Sequence, residues 1–451
     1  MPEPSQSLPM SSPTNMLFRL FTRLRESIAF YPTLIVCAYV AAGAAMLAFE
    51  NTDFAATHRD VLPAGMSDPD TVGEILGTLI TSIVSLTVFS FSMVMVVLNG
   101  AASRLTPRVL PRLITDARNR VTLGIYLGSA AYFLLLISSL NRNEPISVPS
   151  FGTLLAVLFG LLCLALFVMF IRAISQTIQV DWVLGDLYRG AERELQQRKQ
   201  RLADAPPLPD DSDWECLESV RPGYLREINE RRLGKLLHER DLRAVLQVEP
   251  GFFLIEGHPL IRLSAPLDER QQREVLDCFD FHNDEFASSN VSYGMRQISE
   301  IAVKSISPAI NDPGTAVRAI NLLGVLLARL GGMPPYDAGC FDQGQPRLFY
   351  PQLNMQRMLT AVFDPIRSYG SHDAQVLITL IQALKNALHG DPSEEQLHAF
   401  ADELKALRDE ADACLENTRD RKALNDVLER LNKLHQRIPP LQLLDLARTA
   451  Q

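Results

Sequence analysis

The sequence predicts a membrane α-helical bundle of four transmembrane helices, followed by a cytoplasmic α+β part. That part combines a small β-sandwich or half-barrel module with a helical domain. All four strongly apolar runs fall within residues 1–171, which hold ten arginines, ten acids and no lysine. The remaining residues carry 33 basic and 42 acidic side chains, and so the whole net charge of −9. An acidic portion of this size without a cysteine framework is typical of a reducing cytoplasm.

Composition divides the chain into six predicted segments. They are a disordered N-terminus (1–15), a transmembrane domain (16–171), a juxtamembrane helix (172–203), a linker rich in proline and acid (204–213), a small β module (214–265) and a mostly helical cytoplasmic domain (266–451). The predicted spans are 31–49, 75–98, 121–140 and 151–171. Each is long enough to cross, because about 20 residues at 1.5 Å each match a hydrocarbon layer of about 30 Å.

Arginine counts at the ends of the apolar runs predict the orientation, since basic loops stay on the cytoplasmic side. The segment before the first run holds three arginines, and the segment between the second and third runs holds five. The two other loops hold one each. This asymmetry predicts four crossings with both termini in the cytoplasm.

The second apolar run carries a stripe of small polar residues, spaced so that they share one side of a helix. The stripe consists of Thr78, Ser82, Ser85, Ser92 and Asn99. Two interpretations are open. Small hydroxyl residues let neighbouring helices approach closely, which would make the stripe a packing surface. Alternatively, the stripe lines a water-filled path through the membrane.

The same helix becomes basic where it is predicted to leave the membrane. Five arginines lie between residues 104 and 120, against a single acid. Arg104, Arg108 and Arg112 come first and are predicted to form a cytoplasmic collar. Positive charge at that position would attract an anion or the headgroup of an anionic lipid.

The acidic part begins with predicted short strands separated by turns that contain proline and glycine. The strands begin at or cover 222–225, 242–248, 252–256 and 260–263, with an amphipathic helix at 230–239. Further helices are predicted at 267–281, 293–305, 313–330, 352–363, 373–389, 393–414 and 420–436. A loop rich in proline and glycine is expected between 331 and 351.

The sequence of the segment 307–316 predicts a break between two helices and a cap for the second one. Pro308 disfavours helical conformation at Ser307. Asp312 can cap a new helix whose first position is Pro313, which lacks the N–H that would otherwise be unpaired. Asn311 and Asp312, with Arg296 nearby in sequence, form either a structural cap or an anion site at a helix N-terminus.

A resemblance appears at this segment. Tyr293-Gly-Met-Arg-Gln297, followed by Ser307-Pro-Ala-Ile-Asn-Asp-Pro313, resembles the signature of a family of predicted bacterial multi-pass membrane proteins described as a domain of unknown function. The expected family pattern has Phe at Tyr293, Gly at Ala309 and Thr at Gly314. The resemblance covers roughly residues 16–390. It implies a multi-pass protein of a bacterial inner membrane and supplies no activity.

Several kinds of site are not predicted. No GxSxG, P-loop, Rossmann or HExxH pattern occurs, so the sequence predicts no catalytic residue, no cofactor and no enzyme. The six cysteines lack CxxC spacing, and no metal site is predicted. An acidic cluster at 277–285 is more typical of a solvated helix end. The acidic net charge argues against a nucleic-acid partner.

Two function classes remain. The first is a homo-oligomeric channel or permeation pathway with a cytoplasmic vestibule, whose partners are the lipid bilayer and an ion or anionic lipid. The alternative is a non-conducting membrane scaffold or sensor whose cytoplasmic domain binds a partner or a small ligand. The channel class requires the stripe to face a symmetry axis. The scaffold class requires it to pack within one subunit.

Overall fold

The computed structural model describes residues 30–52, 54, 63, 66, 68–104, 117–140, 149–177, 179–203, 206–282, 290–339 and 346–446, with the backbone alone at 101–104, 117–119 and 175–177. These residues form two compact units, which meet in sequence between Gln179 and Val180. The predicted collar residues Arg108 and Arg112, the N-terminus 1–15 and part of the linker lie outside the described residues.

Four long helices form the first unit. They are α1 (Phe30–Glu50), α2 (Pro69–Arg104), α3 (Ala117–Ser138) and α4 (Ser150–Thr177). α1 and α3 run in the same direction, because Gly124 lies against Pro32 while Gly128, one turn later, lies against Tyr39. The two glycines thus admit α1 closely, as the small residues of this helix predict.

α2 and α4 also run in the same direction as each other. Leu79 fills the space beside Gly160, and the rings of Phe89 and Phe167 lie 5.7 Å apart. α4 runs opposite to α1, since Tyr39 packs on Phe159 while Phe49 packs on Phe151. The direction of the four helices therefore alternates along the chain.

α2 begins before the predicted span 75–98 because Asp68 caps it. The Thr71 backbone N–H donates to the Asp68 carboxylate at 2.9 Å, and Pro69 occupies the first turn, where no backbone donor is needed. At the C-terminal end of α1, Glu50 is the last residue of the helix, whereas the predicted span ends at residue 49. Its carboxylate accepts from the Gly152 N–H at 2.9 Å and so caps α4.

Five helices among the described residues have the length and apolarity to cross a membrane. They are Phe30–Glu50, Pro69–Gly100, Arg120–Ser138, Ser150–Ile174 and Pro313–Leu330. The fifth lies in the second unit, where its residues Ala319, Ile320 and Leu323 are fully buried. Its apolar face therefore has a protein core to pack against.

The second unit begins with α5 (Val180–Ala203). The juxtamembrane helix is predicted over 172–203, but α4 continues to Thr177 and α5 starts only at Val180. α5 buries Leu184, Leu187 and Leu195 at helical spacing.

Two sheets follow. The five-stranded sheet has the order β1 (Glu215–Glu218), β5 (Pro259–Leu263), β3 (Ala244–Leu246), β8 (Leu348–Pro351), β7 (Tyr336–Gly339); the three-stranded sheet has the order β4 (Phe253–Leu254), β2 (Gly223–Ile228), β6 (Phe279–His282). All pairs are antiparallel except β3 with β8. Helix α6 (Glu230–Glu239) shares one hydrophobic core with both sheets.

Two predicted elements are wrong in this region. The helix expected over 267–281 stops early, as α7 (Glu269–Leu276), and the chain continues as strand β6. The loop expected between 331 and 351 contains β7 and β8, and β8 pairs with β3 in parallel. The five-stranded sheet thus takes strands from the part of the chain expected to be helical.

Helices complete the second unit. They are α8 (Val291–Ser305), α9 (Pro313–Leu330), α10 (Met355–Val362), α11 (Asp364–Tyr369), α12 (Ala374–Ala387), α13 (Glu394–Cys414) and α14 (Thr418–Leu434). α9 crosses α12 closely, because a Cβ on Gly324 would meet the Ala383 Cβ at 2.9 Å. The helix predicted over 352–363 corresponds to α10. The short helix α11, which follows it, was not predicted.

The chain after α14 returns along that helix in extended form. The Asn425 side chain exchanges two hydrogen bonds with the Leu444 backbone, at 3.0 and 2.7 Å. Asn432 does the same with Leu441, at 2.8 and 2.9 Å. The buried Arg421 adds a bond from its Nε to the Asp445 carbonyl at 2.7 Å.

Candidate functional site

The polar stripe lies on the outer face of the first unit. Leu76, Ile83, Ser90 and Val97, also seven residues apart, are the buried positions of this part of α2. Each stripe residue of the series Thr78, Ser85, Ser92 and Asn99 stands two positions further along, which is a rotation of about 200° around the helix. All four, and Ser82, are exposed. Within the described part of one copy, the stripe is therefore not packed against other residues.

The hydroxyl groups near the start of the stripe are satisfied by their own helix. Thr81, Ser82 and Ser85 each donate to the carbonyl four residues earlier, at 2.9, 2.8 and 2.8 Å. Such bonds let hydroxyl residues face an apolar environment without losing a donor. The hydroxyl oxygens keep acceptor capacity towards the outside.

The two halves of the stripe have different neighbours. In the first half, Ser82 and the neighbouring exposed Thr81 widen the stripe, so that half is polar across its width. Large exposed apolar side chains flank the second half: Val88, Phe89, Met95 and Val96. Ser92 and Asn99 thus sit in an apolar surface, where an amide side chain facing lipid carries a large free-energy cost.

The predicted arginine collar is only partly described. Arg104 is the last residue of α2, and its backbone alone is described; Arg108 and Arg112 lie outside the described residues. Arg120, further along, places its guanidinium 5.3 Å from the Tyr31 ring, a cation–π distance.

The segment 307–316 forms a tight junction between α8 and α9. Asp312 caps α9, accepting from the Thr315 N–H at 3.1 Å and the Thr315 hydroxyl at 2.7 Å, with Pro313 in the first turn. The Asp312 N–H donates to the Ser305 carbonyl at 2.7 Å. Asn311 has φ +50°, a left-handed conformation that asparagine tolerates better than most residues. These contacts account for the residue types Asn311 and Asp312.

Two other predicted groups have different surroundings. Arg296 lies over the Tyr293 ring at 5.8 Å. Desolvation raises the pKa of the partly buried Glu249, and a hydrogen bond from Asn290 together with the charge of Arg296 lowers it in part. In the acidic cluster, His282 lies 3.0 Å from the Asp280 carboxylate, and residues 283–285 lie outside the described part. The described residues contain no group of three metal-ligating side chains.

A cavity in the second unit was not predicted. It has a volume of about 320 Å³ and lies among α5, α9, α10 and α13, with the buried Arg198 in its wall. Sequence reasoning missed it because an arginine on an amphipathic helix normally indicates the solvent face. A usable signal is the spacing of Arg198, which continues the buried series Leu187, Ala191 and Leu195.

Comparison with known proteins decides the family. Residues 25–386 match the model of a family described as "Predicted membrane protein (DUF2254)". The chain belongs to this family. The description of the family names a membrane location and no enzymatic activity.

Relatives of the chain occur in mycobacteria. "Uncharacterized protein Mb1321c" of Mycobacterium bovis and "Uncharacterized protein Rv1290c" of Mycobacterium tuberculosis are each 25% identical to it over 349 residues. Each match covers 72% of this chain and 66% of the relative, so the chain spans slightly less than two thirds of their length. No solved structure matches the chain.

Proposed function

We propose that this family member is a homo-oligomeric bacterial inner-membrane protein in which copies of α2 meet about a symmetry axis and their polar stripes line a permeation path. The proposal rests on one observation: two opposite faces of α2 have different surroundings. One face is buried in its own bundle, while Thr78, Ser85, Ser92 and Asn99 face outward.

Exposure of the stripe supports an oligomer because lipid is a poor neighbour for it. An outward asparagine in a hydrocarbon layer leaves its amide donors unpaired unless water or another chain covers them. A second copy of α2 provides that cover. The first half of the stripe is polar across its width and suits water. In the second half Ser92 and Asn99 would face the path, while the apolar side chains beside them suit contact between copies.

The arginines after the stripe indicate which ions the path would favour. The sequence places Arg104, Arg108 and Arg112 just after the stripe. Repeated by symmetry, these charges attract anions over roughly 8 Å at physiological salt. The expected permeant is therefore a small anion; an anionic lipid headgroup is the alternative occupant of the arginine ring.

Four crossings with both termini in the cytoplasm complete the proposal. The alternating direction of α1 to α4 and the arginine counts both support this arrangement. A reporter active only in the cytoplasm should be active when fused after Gln200 and silent when fused within residues 55–65. The reverse pattern would rule out the topology.

Cysteine substitution tests the path. On a background lacking Cys37 and Cys163, single cysteines at 78, 82, 85, 92 and 99 should react with a small water-soluble thiol reagent in native membranes. Cysteines at Leu76, Ile83 and Val97, which are buried, and at Val84 and Phe91, which are exposed and apolar, are the matched controls and should stay unreactive. Equal labelling of the stripe and control positions, or no labelling at any of them, would contradict the path.

A non-conducting scaffold or sensor is the second candidate. It is favoured by the hydroxyls of Ser82 and Ser85, which already bond to their own helix, and by the apolar side chains beside Ser92. The sequence predicts packing within one subunit for this class; because the stripe is exposed, copies of α2 would instead pack against one another without water between them. Cysteines at 85 and 92 would then form disulfides between copies on oxidation while remaining closed to the water-soluble reagent.

A further inference from the structure

The wall of the cavity in the second unit contains a buried arginine, Arg198, with no carboxylate in contact with it among the described residues. Arg198 is 4% exposed, and no carboxylate of the described residues forms an ion pair with it. The nearby Asp337 is already engaged, because Arg201 binds both of its carboxylate oxygens. Burial lowers the pKa of Arg198, and the longer-range attraction of Asp337, Glu249 and Glu194 opposes this effect in part.

The hydrogen bonds of Arg198 are incomplete as well. Its Nη2 donates to the carbonyls of Pro334 and Tyr336, the latter at 3.1 Å. Its Nε is buried and has no hydrogen-bond partner among the residues described. A buried guanidinium charge without a counter-ion in contact is costly, so an anion supplied from the cavity would offset that cost.

The walls of the cavity add positive potential and apolar surface. Helices α10 and α13 begin there, since their capping residues Asn354 and Ser393 both line it. The N-terminal end of a helix carries partial positive charge. Apolar contacts come from Leu330, Met333, Leu353, Met355 and Met358. The carboxylate in the lining is that of Glu395, which is exposed.

We propose that this cavity binds a small soluble organic anion, with its carboxylate or phosphate group on Arg198 and an apolar body against the methionines. A volume of about 320 Å³ suits a ligand at the small end of the usual range for such sites. This site would make the second unit a ligand-sensing domain. The inference stands independently of the permeation path, since every residue in it belongs to the second unit.

The test uses the full-length protein in detergent and four probes: the organic anions benzoate and phenyl phosphate, the uncharged benzyl alcohol, and inorganic phosphate. The two anions should raise the melting temperature saturably, because a ligand that binds the folded state stabilises it. Benzyl alcohol should not. Inorganic phosphate, lacking the apolar body, should bind more weakly than phenyl phosphate.

Two variants locate the binding. Arg198→Gln should weaken the binding of both anions about tenfold or more, as expected for loss of a charged hydrogen-bond donor. Arg430→Gln removes the same charge from the exposed face of α14 and should leave the affinity unchanged. Equal affinity in wild type and Arg198→Gln, or no binding to wild type, would overturn the proposal.

A third variant, expected to bind more tightly, distinguishes a direct effect on binding from a folding defect. Glu395→Gln removes an exposed negative charge from the cavity and should tighten the binding of both anions several-fold. Misfolding cannot produce that result. Unchanged or weaker binding in Glu395→Gln would count against an anion at Arg198.

Discussion

The two units place their polar side chains in opposite ways. On α2 of the first unit, hydroxyls lie on the outer face and several bond to their own helix. In the second unit Arg198, Arg421 and Glu403 are buried, and Arg421 alone donates to the carbonyls of Asp412, Leu415 and Asp445. Among the described residues the first unit buries one charged side chain, Glu50, which caps α4, whereas the second unit buries several, so buried charge contributes more to the packing of the second unit.

Arg421 should give the largest effect on stability. Arg421→Met leaves the Asp412 carboxylate and three carbonyls without their donor, and we expect a loss of roughly 3–5 kcal/mol in the free energy of unfolding. Urea unfolding followed by tryptophan fluorescence measures it, because Trp182 and Trp214 both lie in the second unit. Arg430→Met, on the exposed face, should change stability by less than about 0.5 kcal/mol. Equal effects would abolish the contrast between buried and surface charge.

Glu403 should make the stability of the second unit depend on pH. Burial, with the nearby Asp364, raises its pKa from 4.5 to about 7, although Arg367 lies 3.6 Å away and Glu410 shares that arginine. The folded state therefore holds the proton more tightly than the unfolded state, and stability falls as pH rises from 4.5 to 7.

Glu403→Gln keeps the shape of the side chain and removes this titration. The variant should match wild type at pH 4.5 and exceed it in melting temperature at pH 8, since each pKa unit corresponds to about 1.4 kcal/mol. Glu416→Gln, at an exposed position after α13, is the control. A constant difference between variant and wild type from pH 4.5 to 8 would show that Glu403 does not titrate in this window.

Asp312 tests whether the junction between α8 and α9 has a structural role. Asp312→Ala removes two accepted hydrogen bonds at the start of α9 and should cost about 1 kcal/mol. Asn311→Gly should be nearly neutral, because glycine adopts φ +50° readily. An unchanged melt for Asp312→Ala, combined with lost stabilisation by added anions, would favour a ligand role instead.

The stripe should give the smallest effect on the stability of one subunit. Ser85→Ala removes a hydroxyl that bonds only within α2 and faces outward, so we expect less than about 0.5 kcal/mol. Tyr132→Phe is the buried comparison: its hydroxyl donates to the Gly152 carbonyl at 3.2 Å, and its loss should cost about 1 kcal/mol. Thermal unfolding in detergent ranks the two, and a larger effect for Ser85→Ala would mean that it touches protein.

Local rules predicted the parts of the fold that depend on near neighbours in sequence. The four apolar helices, α6 at Glu230–Glu239 and the cap of α9 by Asp312 all follow from periodicity or from residues at fixed offsets. Strands β1, β6, β7 and β8 were missed because four residues show too little pattern, and β8 pairs in parallel with a strand about 100 residues earlier.

The candidate site was predictable to a similar degree. The seven-residue spacing of Thr78, Ser85, Ser92 and Asn99 shows that they share a face, but the sequence does not say which face. That depends on Leu79 meeting Gly160 and on Val97 meeting α4, contacts between distant parts of the chain. The spacing of Arg198 places it on the buried face of α5, but the contacts that bury it, with the carbonyls of Pro334 and Tyr336, are equally distant in sequence.

The shared seven-residue period of the two faces of α2 restricts how this helix can change length. One residue inserted between Thr87 and Phe91 would turn everything after it by about 100°, taking Ser92 and Asn99 out of line with Thr78 and Ser85. The same insertion would pull Val97 out of its contact with α4. Seven residues added or removed would keep both faces aligned and alter the length by about 10 Å. Among related sequences, insertions and deletions within this helix should therefore come in sevens.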